Sequence, residues 1–507
     1  MLREVLERTG RKAPVYLIGI GGVGVSGLAR LFRAAGHDVS GSDAAASPLT
    51  EELEAIGVRV HLGPPDAGRV PADAALVVHT AAVCPDHEEM EAARRHRIPT
   101  LKYAEVLGRL MAERRGIAVA GTHGKTTTTA MIAHILLEGG LDPSVVVGGS
   151  VPRIGGTSRA GGSDILVAEA CEYDRSFLNL HPTYAVITNV EPDHLDYYED
   201  LDEIVSAFAC FARLVPPRGR LFVGAASAPA RRAVEGAEAP VETYGVEVEA
   251  DWEARDVDLA GGEPRYTLVR RGEALGRVVL KVPGRHNVED SVAAAAVASA
   301  LGVPIPRIRV ALAGFTAVKR RFQVVCERAG TTVVDDYAHH PTEIAATLAA
   351  ARDRYPGARL VVLFQPHQHA RTRHLREGFV EALAAADRVL LADIYGARET
   401  EAERASISSF DLVRDLAARR VDAHYLADLD LAGRFIARES RRGDVVLVLG
   451  AGDVYKVAQA LRDLLGEREE REDREEREAA EAREAPEAPE AREPRETHVH
   501  RTSESVS

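Results

Sequence analysis

The sequence predicts an α/β protein of three successive domains followed by a charged tail, on three observations. Two apolar runs, near residues 15–18 and 117–120, each feed a glycine loop that opens a helical pattern. Beyond residue 319, β-rich runs alternate with helical ones, which implies a mostly parallel sheet with crossover helices. Acidic and histidine residues follow directly on the apolar runs of the second and third stretches, where open α/β sheets gather ligands beyond their strands' carboxyl ends. The 507 residues suit about three domains, with expected divisions at 1–113, 114–318 and 319–466 and a tail over 467–507.

The first domain opens with a strand over Val15 to Ile18 and the loop Gly19-Ile20-Gly21-Gly22-Val23-Gly24. A helix follows with Leu28, Leu31, Phe32 and Ala35 on one face, and Gly36 stands at its C-cap. The next strand ends at Asp43, 19 residues after Gly24, which matches the Rossmann-like fingerprint. Gly19, Gly21, Gly22 and Gly24 let backbone approach a diphosphate, so a nucleotide sugar fits as well as a dinucleotide. Taken alone, the fingerprint also suits an NAD-dependent oxidoreductase or a tight packing turn.

The second domain starts with Ile117 to Ala120, the loop Gly121-Thr122-His123-Gly124-Lys125-Thr126-Thr127, and a helix carrying Met131, Ile132, Ile135 and Leu136. Strand, glycine loop and helix N-terminus make a phosphate cradle of the P-loop type, with two fewer residues between its glycines than the usual pattern. Further strands at 165–168 and 184–188 are followed by Glu169, Glu172 and Asp174, then by Glu191, Asp193, His194 and Asp196. Such oxygen-rich strand ends suit a hard cation beside phosphates, although a lone glutamate or histidine reads more simply as an ion pair.

The third domain follows Arg320-Arg321-Phe322, with strands at Thr332 to Val334, Leu360 to Phe364, Val389 to Ala392 and Val445 to Leu449, and a helix over Ile344 to Ala351. Its polar clusters are Asp335-Asp336-Tyr337-Ala338-His339-His340-Pro341 and Gln365-Pro366-His367-Gln368-His369-Ala370-Arg371. His340 is expected to cap the helix begun by Pro341, and His369 to face away from any site. A net charge of −14 gives no support for nucleic-acid binding, and no apolar run is long enough to span a bilayer. Cys84, Cys171, Cys210 and Cys326 lack paired spacing and read as buried reduced thiols, in keeping with a cytoplasmic enzyme. The Glu/Arg-rich tail has almost nothing to bury and is expected to be disordered, with a solvated helix as the alternative for its first part.

Over residues 14–465 the chain resembles the Mur ligases. The resemblance rests on the two glycine loops, Glu169-Ala170-Cys171-Glu172, Thr188 to His194, Pro283-Gly284-Arg285-His286-Asn287, Asp335 to Pro341 and Phe364-Gln365-Pro366-His367. It implies ATP-dependent amide formation between L-alanine and the lactyl carboxylate of UDP-N-acetylmuramate, through an acyl phosphate. It implies that Gly19, Gly21, Gly22, Gly24 and Asp43 hold the UDP-sugar, and that the 121–127 loop holds ATP with Lys125 on its β/γ-phosphates. Thr126 would ligate one Mg2+, and Glu169 with His194 a second. His286 and Asn287 would lie against adenine, Asp336 on the ribose and Arg321 on the γ-phosphate. Tyr337, His339, His367 and Arg371 would form the alanine site, Arg371 taking the carboxylate. The partners implied are small molecules only, acting on a monomer or weak homodimer. A recycling ligase that adds an intact peptide shares this chemistry. Gln368 stands where many relatives carry a basic residue, and no lysine between Lys125 and Lys281 is available for the carbamylation several Mur ligases use.

Overall fold

Continuous apolar runs form the inner strands: Val15–Ile18, Leu360–Phe364 and Val445–Leu449 are buried along their whole length, as parallel strands covered on both faces must be. They belong to three sheets in a computed structural model that describes residues 13–484 apart from 85, 397 and 398. The first sheet is wholly parallel, in the order Arg59–Leu62, Val39–Asp43, Val15–Ile18, Leu76–His79, Thr100–Lys102. Its order reverses beside Val15–Ile18, so the first glycine loop sits at the switch point. Helix Val23–Ala34 follows; its C-cap is Ala35, one residue before the predicted Gly36, which takes φ +85° just beyond.

The second sheet has ten strands. Its parallel centre sets Arg115–Ala120 between Tyr184–Ile187 and Ile165–Glu169, so the phosphate-loop strand is flanked by the two strands whose ends carry the acidic runs. One edge is an antiparallel extension of Trp252–Asp258, Arg265–Arg270 and Glu273–Val279. Helix Lys125–Glu138 is buried from Thr126 to Leu136 and packs against Arg285–Ala300 and Ile305–Gly314. The third sheet runs Gln323–Arg328, Thr331–Asp336, Val445–Leu449, Leu360–Phe364, Arg388–Leu391, Ala423–Tyr425, with only its first pair antiparallel. Val445–Leu449 thus separates the two strands whose ends carry the third domain's polar clusters.

The cysteines are free, but Cys84, Cys171 and Cys210 are exposed and Cys326 is half-buried, which corrects the expectation of buried thiols. Short side chains at loop and helix-surface positions need no burial, and composition cannot place them. The final helix, Tyr455–Glu484, carries the chain into the charged tail as the helical alternative has it. It is not merely solvated. Arg468 donates to Ala437 O and Ser440 O at 3.1 and 2.8 Å, and Glu469 accepts from Ala329 N and Arg328 at 3.0 and 3.1 Å. Residues 485–507 of the tail lie outside the described residues. No helix among the described residues is long and apolar enough to cross a membrane.

Truncation after Gly466 is therefore expected to lower the thermal midpoint by about 2–4 °C, whereas truncation after Glu484 leaves it unchanged. Differential scanning calorimetry checks both, and equal midpoints for the two truncations would remove the docking role of Arg468 and Glu469.

Candidate active site

The phosphate loop leaves strand Arg115–Ala120 at Gly121, φ +139°, and enters helix Lys125–Glu138 through Gly124, φ +80°. A Cβ at Gly121 would stand 1.8 Å from Thr188 Oγ1, so only glycine fits there. The loop is pinned from the neighbouring strand end: Asn189 Oδ1 accepts from His123 N at 2.8 Å, and Thr188 Oγ1 donates to His123 O at 2.6 Å. Lys125 lies across the loop and donates to Gly121 O, Thr122 O and Glu172 Oε1 at 2.5, 3.0 and 3.0 Å. Burial opposes its charge, but Glu172 and its neighbours outweigh that and hold the ammonium above its ordinary value. Thr126 Oγ1 donates to Glu169 Oε2 at 3.0 Å, and Gly148 N donates to the same oxygen at 2.7 Å. His194, at φ +53°, places Nε2 3.8 Å from Glu172 Oε1.

Glu172 was named by the sequence only as part of an acidic run, without a role. Its side chain is 4% exposed, and its Oε2 is buried and unsatisfied. The available signal was its place three residues beyond Glu169.

A cavity of about 600 Å³ opens beside the loop, lined by His123, Gly124, Thr127, His286, Asn287, Arg321 and Asp336. These are residues expected at the nucleotide; Gly121, Thr122, Lys125 and Thr126, also expected there, do not line it. Burial, then Arg321, pushes His286 down to about 4, leaving a neutral ring against the cavity. Asn287 donates to Pro283 O at 2.6 Å, which orients its amide. Asp336 accepts from Phe322 N and Ala338 N at 2.7 and 2.8 Å, so its carboxylate braces the chain on either side of the cavity wall. Arg321 is delivered by a left-handed twist, Arg320 at φ +59° and Phe322 at φ +46°. Such angles are strained for bulky residues and are held here by Asp336 and by Tyr337 N donating to Arg320 O at 2.8 Å.

In the first domain Gly21 N donates to Asp43 Oδ2 at 2.8 Å, so Asp43 grips its own loop. A Cβ at Gly24 would meet the Tyr103 ring at 2.6 Å, and one at Gly19 would meet Thr80 at 2.4 Å. Gly22 backs onto Gly19 O. A cleft of about 170 Å³ runs from Val23, Gly24 and Tyr103 to Glu169 and Cys171. The first glycine loop and Glu169, the acceptor of Thr126, thus share one groove.

The third domain's cluster lies on the other side. His340 caps helix Pro341–Arg354, its Nδ1 accepting from Thr342 N at 3.3 Å, as expected. His369 turns to Glu399 at 2.8 Å, also as expected. Tyr337, His339 and His367 form a file, with ring centroids 5.4 and 6.3 Å apart, and Tyr395 stacks on His367. Arg371, expected to take an incoming carboxylate, is engaged by the chain's own: its Nε donates to Asp193 Oδ1 at 3.0 Å and both side chains are buried. Burial opposes Asp193's charge, but Arg371 and the nearby histidines hold its carboxyl far below the usual range. His123, Glu191 and His340 offer ligand atoms within 4.8 Å of one another. His340 Nδ1 accepts from Thr342, so its proton sits on Nε2, toward Pro192 O at 3.3 Å, and no lone pair faces a cation.

Models of three families match successive parts of the chain: "Mur ligase family, catalytic domain" over residues 14–115, "Mur ligase middle domain" over 119–298, and "Mur ligase, glutamate ligase domain" over 320–452. The chain belongs to the Mur ligase family. This Mur ligase is 42% identical to the UDP-N-acetylmuramate--L-alanine ligase of Desulfitobacterium hafniense (strain Y51), over 88% of this chain and 99% of that protein. It is 43% identical to the protein of the same name from Salinibacter ruber, over 90% and 96%. Among solved structures it resembles the UDP-N-acetylmuramate-alanine ligase of Thermotoga maritima, with TM-score 0.75 and 28% identity over 89% of this chain and 98% of that one. It also resembles a murein peptide ligase of Psychrobacter arcticus, with TM-score 0.67 and 26% identity over 90% and 99%.

In this Mur ligase the third domain is closed on the central one through His123. Its Nε2 is 3.3 Å from Glu191 and its Nδ1 3.3 Å from Glu343, so both nitrogens donate. Burial opposes the charge, but the two carboxylates outweigh it and raise His123 to about 9. Burial likewise opposes the Glu191 charge, and His123 leads the groups that hold Glu191 down at about 2. The histidine's contribution is whole below its unfolded value of 6.5 and is lost as pH rises through about 9. The Glu191 contribution is whole above 4.5 and is lost as pH falls through about 2. The thermal midpoint difference between wild type and His123→Asn is accordingly expected to be largest between about pH 4.5 and 6.5 and to fade toward pH 9. A difference that is flat over this range would show that His123 is not the charged member.

Proposed function

We propose that the chain joins L-alanine to the lactyl carboxylate of UDP-N-acetylmuramate, converting ATP to ADP and phosphate, in the cytoplasm. The observation that carries this reading is the groove that runs from the first glycine loop to Glu169, which accepts from Thr126 of the phosphate loop, while His123, Gly124 and Thr127 of that loop face the nucleotide-sized cavity. The names of the relatives at 42 and 43% identity support the amine and the acceptor.

In this reading the first-domain loop holds the UDP diphosphate by backbone approach, and the muramyl carboxylate reaches along the groove toward Glu169. ATP occupies the cavity, its base beside the neutral His286 and Asn287 and its γ-phosphate toward Arg321 and the loop. Lys125 exchanges one of its present partners for phosphate oxygens. The carboxylate attacks the γ-phosphorus as ADP leaves, and the alanine amine then attacks the acyl carbon as phosphate leaves. Arg321 and Lys125 supply fixed positive charge where the transferring group gathers negative charge. The donor set fits Mg2+: Thr126 Oγ1 and Glu169 Oε2 converge, Glu172 Oε2 is unsatisfied and His194 is nearby. Mg2+ held there would neutralise charge on the phosphoryl and carboxylate oxygens. The file Tyr337, His339 and His367 forms the amine site, and Arg371 takes the alanine carboxylate in exchange for Asp193. Closure of the third domain keeps water from the acyl phosphate.

Phosphate release from ATP with UDP-N-acetylmuramate is expected to depend on L-alanine and to be far weaker with glycine, L-serine or a cell-wall tripeptide. Activity with the tripeptide alone would replace this reading with that of a peptide ligase; indifference to every amine would remove ligation. Lys125→Ala is expected to lower turnover at least about a hundredfold while UDP-N-acetylmuramate still binds, read by calorimetry. Arg371→Ala should raise the KM for alanine well above any change in the KM for ATP, and equal changes would reduce Arg371 to a partner of Asp193.

A further inference from the structure

Glu343 occupies the first turn of helix Pro341–Arg354, where the helix N-terminus favours a carboxylate. Its two oxygens point to different sites. Oε1 lies 3.3 Å from Nδ1 of His123, inside the phosphate loop, and 3.8 Å from Nη1 of Arg321. Oε2 accepts from His339 N at 3.0 Å and stands 3.2 Å from His339 Nδ1, in the file beside His367. The side chain is 13% exposed and lines the nucleotide cavity. Burial opposes its ionisation, but His339 and His123 hold the carboxyl well below the usual range, so the group is charged.

We propose that Glu343 is a positioning residue that fixes the phosphate loop, Arg321 and His339 relative to one another, so that the nucleotide and amine sites assemble as one unit. The inference rests on the ligase reading for the identity of the two substrates. A carboxylate serving only as a helix-end charge would need neither the loop histidine nor His339. A buried charged hydrogen-bond network, by contrast, loses more than the sum of its pairs when its centre is removed.

The test is a double-mutant cycle of Glu343→Gln and His123→Ala, with kcat and both KM values measured by phosphate release. Glu343→Gln keeps the side chain's size and removes its charge. It is expected to raise the KM for ATP and the KM for alanine together, each about tenfold or more, and to lower kcat, while UDP-N-acetylmuramate affinity stays unchanged and reports a folded first domain. The double variant should be little worse than the poorer single one. Glu343→Asp, which keeps the charge on a shorter stem, should recover part of the loss. A rise in the KM for ATP alone, an additive double variant, or a loss of stability with unchanged KM values would each overturn the positioning role. A wild-type enzyme that ignores alanine but uses a peptide would overturn the substrate reading instead, and the same cycle read with that peptide would still decide the role of Glu343.

Discussion

Helix Pro341–Arg354 meets the central domain with its first turn at residues 191–193 and with Arg354 beside Gly262, and the two-domain site depends on the first of these contacts. Thr342 Oγ1 donates to Glu191 at 2.7 Å, His340 reaches Pro192 O, and Arg371 pairs with Asp193 just beyond. The segment 191–193 follows strand Tyr184–Ile187, which also supplies Thr188 and Asn189 to pin the phosphate loop. One strand end therefore shapes the loop and receives the neighbouring domain. Geometry at the phosphate loop and geometry at the Tyr337, His339 and His367 file cannot be set independently.

Two links in the contact, Arg371 with Asp193 and His123 with Glu343, are charge pairs held largely away from water. Unpaired, such groups would be costly; cross-paired, they are satisfied only when the domains adopt this arrangement. Arg371 with Asp193 and His123 between Glu191 and Glu343 each join residues from different domains. An apolar seam would hold with less regard to register. A polar one accepts few relative positions, so the phosphate loop and the third domain's cluster keep one mutual placement.

Much of this was legible in the sequence because it is local. Val15–Ile18 and Leu360–Phe364 read as strands because every residue is apolar, and both glycine loops follow from strand, loop and helix in order. His340 as a helix cap follows from Pro341 beside it. Less legible were pairings between distant positions. Arg371 reads as a free guanidinium until Asp193, 178 residues earlier in the chain, is found against it. Glu343 looks like an ordinary first-turn acid, since nothing near it in sequence names His123. The exposed Cys171 shows the same limit: residue type alone predicts burial, and only the turn after Ile165–Glu169 shows the thiol facing the cleft.

Lys125 has all three of its hydrogens engaged by the chain itself. The cation at the centre of the loop is therefore not stranded: the chain itself satisfies it. A phosphate that takes up this ammonium must displace a carboxylate or a backbone carbonyl already hydrogen-bonded to it, so weakly charged anions make poor occupants of the loop.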